Sequence, residues 1–255
     1  MSVICMQRIL CTILCLLPLG LSVFVNSANA QTFVSPKQQV NLVEVYSSQG
    51  CSSCPPAEKW LSQFKEDQRL FSQFIPINLH VDYWDYIGWK DPYALSAFTK
   101  RQQNYQRFGH TKNIATPGFV VNGKGWNGWF YRQRLPIDNQ LAVGELSAQI
   151  KAQEVLVSFD GVKPLPPFAQ AHIAILGFDQ ITRVTRGENR GRALPHDFVV
   201  IDYQQASIKT DGSKLTATLP LPHSGKFVSN KKAIVVWLSE RFDPKPIQAV
   251  GGWLE

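Results

Sequence analysis

The chain has 255 residues with 26 Lys and Arg against 19 Asp and Glu, giving a net charge of +7. No run of basic residues resembles a nucleic-acid stripe, so a soluble basic protein is a better reading than a charge-driven binder of nucleic acid. The length suffices for two modest domains or one large one.

Residues 1–30 have the order of a secretory signal peptide. Arg8 precedes a largely apolar run from Ile9 to Val25, and Ala28-Asn29-Ala30 places small residues at the −3 and −1 positions of a cleavage site. The apolar run is short for a bilayer span and is interrupted by Pro18 and Gly20. Cleavage near Ala30 predicts a periplasmic or secreted protein without stable membrane insertion. Cys5, Cys11 and Cys15 leave with the leader, so Cys51 and Cys54 remain as one close pair, which is no disulfide framework.

Residues 31–153 alternate strand-like and helical patterns. Val40 to Tyr46 reads as a strand, followed by a turn at Ser47 to Gly50 and by Cys51-Ser52-Ser53-Cys54-Pro55-Pro56. A helix with Ala57, Trp60, Leu61 and Phe64 at helical spacing follows, because prolines fit a helix's first turn. Phe74 to Val81 reads as a second strand. Asp91 as N-cap, Pro92 and Gly109 as C-terminal stop predict a helix between them. Phe119 to Asn122 reads as a short strand into an Asn122-Gly123 turn, and Asp138 to Gln153 as a third helix with Leu141, Leu146 and Ile150 in its stripe. Residues 154–255 offer short strands at Val155–Phe159, Ala171–Phe178, Ile181–Thr185, Phe198–Tyr203, Lys214–Leu219, Ala233–Leu238 and Ile247–Trp253, as in a small sandwich or partial barrel.

A C-x-x-C pair between a strand and a helix start has a use in redox chemistry. The helix N-terminus directs free N–H groups and partial positive charge at the first sulfur, which stabilises a thiolate. Cys51 is then the accessible attacking sulfur and Cys54 resolves the mixed disulfide. The other readings are a structural disulfide and a metal site, in which Cys51, Cys54 and His80 would suit Cu(I). Glu44 shares a strand face with Leu42 and Tyr46. It is either a buried carboxyl that takes the proton of Cys54 or a solvated or salt-bridged edge residue.

The stretch from Val43 to Ala57, with its Cys51-Ser52-Ser53-Cys54-Pro55-Pro56 centre, is similar to the opening signature of an exported thioredoxin-like family, the domain of unknown function 1223. His80-Val81-Asp82-Tyr83-Trp84-Asp85, Thr116-Pro117 and Arg186-Gly187-Glu188-Asn189-Arg190-Gly191-Arg192 resemble its further signatures. The resemblance implies an α/β thioredoxin-like domain followed by a smaller, mostly β, sandwich-like C-terminal extension, and no assigned substrate. It also implies that the Thr116-Pro117 bond is cis and stands beside the cysteines. Gly118 departs from the family's longer residue there, which implies a more open groove wall.

The loop from His80 to Asp91 could line a groove beside Cys51, with Tyr83 and Trp84 gripping substrate and His80 or Asp82 moving a proton. It could equally pack its aromatics onto the domain. The Arg186 to Arg192 loop is either an anion-gripping or docking loop or a solvated tip with Glu188 paired internally. The leading expectation is an envelope thiol-disulfide oxidoreductase acting on protein or small-molecule thiols and disulfides, with no cofactor beyond the Cys51–Cys54 pair. A copper-handling protein and a non-catalytic interaction module are the alternatives.

Overall fold

The computed structural model describes residues 30–223 and 225–255; the leader expected at 1–30 lies almost wholly outside them. In chain order the first half forms β1 (Gln31–Val34), β2 (Asn41–Ser47), α1 (Pro55–Ser62), β3 (Phe74–His80), α2 (Ser96–Arg107), β4 (Gly118–Val121) and β5 (Lys124–Gly125). The second half forms β6 (Gly144–Lys151), β7 (Glu154–Gly161), β8 (Phe168–Gly177), β9 (Gln180–Arg183), β10 (Ala193–His196) and β11 (Val199–Lys209). It closes with β12 (Lys214–Pro220), β13 (Lys232–Glu240) and β14 (Pro246–Trp253).

An eight-stranded sheet in the order β14-β13-β8-β11-β3-β2-β4-β5 is the frame of the molecule. All seven residues of both β2 and β3 are buried, as expected of strands covered on both faces. These two run parallel, with Ser47 beside His80, and α1 lies in the crossover that a parallel pair requires. β4 returns antiparallel to β2, and β4 turns into β5 through Asn122 and Gly123, whose φ angles of 47° and 81° suit a type I′ hairpin. β3 meets β11 in one parallel pair, Asn78 with Val199, supported by the Asn78 N–H donating to the Phe198 carbonyl at 2.8 Å.

This arrangement corrects the expected architecture. The molecule is mostly β, with two α-helices among the described residues, and not an α/β thioredoxin-like domain with a small β appendage. The large sheet takes four strands from each side of residue 153, so the second half continues the sheet of the first. Along β13, Ala233, Val235 and Trp237 pack into one core with β2, β3, α1 and α2, while Ile234, Val236 and Leu238 pack into another. That second core is closed by the four-stranded sheet β1-β6-β7-β12 through Leu146, Val157, Phe159 and Leu215.

Two helix boundaries also differ from expectation. The segment read as a helix over 138–153 contains strand β6, in which Gly144, Leu146 and Ala148 are buried and Glu145 and Lys151 exposed. Its period is two rather than 3.6, and Leu141 is 56% exposed. α2 begins at Ser96 rather than Pro92, since the Asp91 carboxylate caps a turn at the Tyr93 N–H (3.0 Å) instead of the helix. Its end matches the sequence. Gly109, at φ 76°, donates to the Gln106 carbonyl and His110 donates to that of Tyr105, a glycine-stopped C-terminus.

α2 is fixed to β2 by a buried ion pair. Arg101 reaches Glu44 with Nε at 2.7 Å and a terminal nitrogen at 2.9 Å. The hydroxyls of Tyr46 (2.7 Å) and Tyr105 (2.5 Å) donate to the same carboxylate, and Arg101 also donates to the Pro244 carbonyl. Among the described residues no helix is long and apolar enough to cross a membrane.

Candidate functional site

β2 ends at Ser47, and the chain turns tightly into the cysteines. A Cβ on Gly50 would lie 3.0 Å from Trp84 Cβ and 3.1 Å from Ile87 Cδ1, so any larger residue would push the 82–91 loop back by a few tenths of an ångström. The Cys51 N–H donates to the Ser48 carbonyl, and the Cys54 carbonyl accepts from Ala57 (2.9 Å) and Glu58 (3.1 Å), which makes Cys54 the N-cap of α1. Pro55 and Pro56 fill the first helical positions, where a missing N–H has no intrahelical partner to lose.

Cys51 and Cys54 form a disulfide with their Cα atoms 5.5 Å apart. Cys51 Sγ lies 3.3 Å from Ser53 Oγ and 3.6 Å from the Thr116 carbonyl oxygen, and the Thr116–Pro117 peptide bond is cis. Thr116 and Pro117 thus reach the cysteine turn across the sheet. The sulfurs are not open to solvent, however. Cys51 is 1% exposed and Cys54 0%, while Ser52 and Ser53 between them are exposed. The expected accessible attacking sulfur is covered in this oxidised form.

The 186–192 loop is tied to the backbone of the cysteine turn. Glu188 accepts from the Ser52 N–H at 3.0 Å, and the buried Asn189 amide donates to the carbonyls of Gln49 and Cys51, both at 2.9 Å. Arg192 in turn donates to Asn189 Oδ1 at 2.5 Å. Hydrogen bonding from Ser52 holds the Glu188 carboxyl below its usual range. The loop is a clasp on the cysteine turn rather than a free tip.

The 80–91 loop mostly packs inward. Trp84 Nε1–H donates to Thr116 Oγ1 (2.7 Å), the Tyr83 hydroxyl to Gln102 (3.2 Å), and Asp82 accepts from the Thr99 hydroxyl (2.6 Å) at the start of α2. Tyr86 is the exception at 81% exposure. Gly118 lines a pocket beside Pro117, and a Cβ there would lie 2.6 Å from the Ala115 carbonyl oxygen and 2.8 Å from Gln102 Nε2, so a larger residue would require the 115–118 backbone to shift. Glu44 is committed to Arg101. It lies three positions before Ser47 on β2, so the alternation of a strand turns it to the face opposite the one on which Ser47 meets α1.

The carboxyl on the α1 side is Glu58, four residues after Cys54 on the same helical face. Ser47 donates a short hydrogen bond to Glu58 Oε1, and His196 Nδ1 lies 2.5 Å from Oε2. Trp89 Nε1–H donates to Gln49 Oε1 at 2.9 Å, which turns the Gln49 NH2 toward His196 Nε2 at 3.0 Å. His196 therefore accepts at Nε2 and carries its proton on Nδ1, facing Glu58. His80 gives its Nδ1–H to Asp91 Oδ2 at 2.7 Å. Its Nε2 has no hydrogen-bond partner and stands 3.6 Å from Glu58 Oε1. Glu58, His80, Asp91 and His196 are all at most 4% exposed.

Burial opposes the charges of Glu58, Asp91 and His80, but their partners prevail. Glu58 is held below the usual carboxylate range by His196 and His80 and by hydrogen bonds from His196 and Ser47. Asp91 is lowered by His80 and by the backbone N–H groups of Gln49 and Tyr93. His80 is raised by Asp91 and Glu58. The sequence reading singled out His80 but missed Glu58 and His196. Their signals were a carboxylate beside Ala57 and Leu61 on a buried helical face, and a histidine alternating inward with Leu194 along β10.

The family described as a protein of unknown function (DUF1223) matches residues 42–239. The chain belongs to this family. The matched span contains the cysteine pair, the acid–histidine cluster and the clasp loop of this DUF1223 member. A crystal structure of a structural-genomics target from Agrobacterium tumefaciens is 25% identical, with a TM-score of 0.56 over 85% of this chain and 94% of that one. That match extends across both halves of the chain, in keeping with one continuous sheet. HBP35 of Porphyromonas gingivalis is 11% identical, with a TM-score of 0.53 over 86% of this chain and 76% of that one, a likeness of fold alone. Among curated proteins, none matches the chain.

Proposed function

We propose that this DUF1223 member is an exported thiol–disulfide exchange protein working through Cys51 and Cys54. The observation that supports it best is the setting of the disulfide, which ends on the N-cap of α1 with the Thr116 carbonyl 3.6 Å from Cys51 Sγ. The positive end of a helix stabilises a thiolate released there.

In the exchange, a partner thiolate attacks Cys51 Sγ and the Cys51–Cys54 bond breaks. Cys54 leaves as a thiolate and takes up a proton. A second partner thiolate then attacks the partner sulfur of the mixed disulfide and releases Cys51. The partner dithiol has become a disulfide and the protein disulfide a dithiol; the reverse sequence reduces a partner. Because Cys51 is covered, the Glu188–Asn189 clasp must lift before attack.

The test is alkylation of the reduced protein across pH, together with turnover of a small disulfide. Cys51 should titrate below the free-cysteine value of about 8.5, and Cys51→Ser should abolish turnover. A pair that titrates like free cysteine and turns over nothing overturns the reading. The burial of both sulfurs favours a second reading, a structural crosslink, in which both serine variants lose stability and there is no turnover to lose. A loop of two residues contributes little stability through chain entropy, and so exchange is the first reading.

A further inference from the structure

We propose that Glu58, His80 and His196 form a binding site for one divalent transition-metal ion of the zinc class, separate from the cysteine sulfurs. One carboxylate oxygen and two imidazole nitrogens from α1, β3 and β10 have their ligand atoms within 4.8 Å of one another. Tetrahedral bonds of about 2.0–2.2 Å to nitrogen and oxygen place ligand atoms roughly 3.3–3.6 Å apart. His80 Nε2 and Glu58 Oε1 already stand 3.6 Å apart, and a pair at the 4.8 Å limit closes by about 1.2–1.5 Å through side-chain movement.

Three further observations point to an ion. His80 Nε2 is fully buried and has no hydrogen-bond partner, with Glu58 Oε1 3.6 Å away, yet its orientation is set from behind by the Nδ1–H bond to Asp91 at 2.7 Å. A carboxylate behind a histidine in this way fixes the ring and its tautomer for metal binding. Asn78 lies two positions before His80 on the same strand face, and it too is buried with neither side-chain amide atom hydrogen-bonded. Finally, among the described residues the ion pairs of Glu58 and Asp91 are to imidazoles, with no Lys or Arg. A divalent cation supplies the positive charge that two buried carboxylates demand.

The donor set selects the metal. Imidazole with carboxylate suits zinc or iron(II), whereas magnesium and calcium prefer oxygen alone. Coordination through His196 Nδ1 moves that proton to Nε2, where Gln49 Oε1 accepts it after a half-turn that gives up the bond from Trp89 Nε1–H, and the half-buried indole N–H then turns to water. Three protein donors leave one position of a tetrahedral site for water or another small ligand.

The experiment is titration of the full, disulfide-bonded chain, stripped by a chelator, with Co2+ and then Zn2+. It does not depend on the exchange reading, because the cysteines stay oxidised throughout. The expected result is one Co2+ per chain, showing d–d absorption without a sulfur charge-transfer band, and displaced by Zn2+. His80→Gln and Glu58→Gln should each weaken binding more than tenfold, and Asp91→Asn by about 10–100-fold. The wild-type spectrum decides the matter even if a variant fails to fold. No binding by the oxidised chain overturns the proposal. So does binding that appears only after reduction and with a sulfur band, or a folded His80→Gln that binds as tightly as wild type.

Discussion

Two buried polar clusters lie on opposite faces of β2, and they differ in how completely they are satisfied. On the α2 face, Glu44 receives Arg101, Tyr46 and Tyr105, with every partner within 2.9 Å. On the α1 face, among the described residues, the ion pairs of Glu58 and Asp91 are to imidazoles only, and one ring nitrogen is left without a hydrogen-bond partner. A saturated cluster holds an architecture in place. A cluster with a free donor atom beside a disulfide has capacity for a ligand or a proton.

The contrast is broken most severely by Arg101→Met. Leaving Glu44 buried without its cation should cost about 3–5 kcal/mol, measured by urea unfolding, and adding Glu44→Gln should recover part of it. A loss below about 1 kcal/mol would remove the saturated cluster from its structural role. The other cluster should respond to metal instead. Zn2+ at a hundred times its dissociation constant should raise unfolding stability by about 2.7 kcal/mol in wild type and by less than about 1.4 kcal/mol in Glu58→Gln; equal stabilisation of both proteins contradicts the site.

The saturated side also has a pH signature. His172 stacks on Trp237 at 4.7 Å and contacts the Tyr203 and Ser239 hydroxyls at 2.8 and 3.0 Å. Burial, with Arg101 adding to it, pushes this imidazole well below its usual range. Above about pH 6.5 both folded and unfolded states hold it neutral, and stability is unaffected. Below that, the unfolded chain binds a proton that the fold refuses, so stability should fall by about 1.4 kcal/mol per pH unit. His172→Gln should flatten this slope between pH 6.5 and 5; parallel slopes would assign the loss to other groups. The smallest effect concerns the clasp. Asn189→Ala removes the donor to two carbonyls, each bond contributing about 1 kcal/mol, and should speed reduction of the disulfide by dithiothreitol by about tenfold or more. An unchanged rate means that the clasp does not control access.

Local chemistry was the legible part of the sequence. The strand, turn and helix around Cys51 and Cys54, the Asn122-Gly123 turn and the Gly109 stop each depend on neighbouring residues, and each was found where those residues put it. Seven of the eight strands after residue 153 were likewise readable as short apolar runs between turn residues; β10 was not. The segment over 138–153 misled because Leu146 and Ile150 satisfy both a helical and an alternating pattern, and pairing with β7 and β1 decides between them. The continuity of the sheet through Asn78 and Val199 leaves no local mark at either residue. The acid–histidine cluster joins positions 58, 80, 91 and 196 and exists only after folding. His80 and Asp91 could be singled out from their loop; Glu58 and His196 show a buried position in the local pattern but nothing that joins them to His80.

The seam between β3 and β11 has a practical consequence for truncation. A fragment ending near residue 153 would lose the β11 contact at Asn78 and uncover β3, whose seven residues are all buried in the intact chain. A flat apolar edge of that kind invites pairing with other copies. The two halves should therefore be produced together, since either one alone presents an adhesive border where the intact protein has an interior.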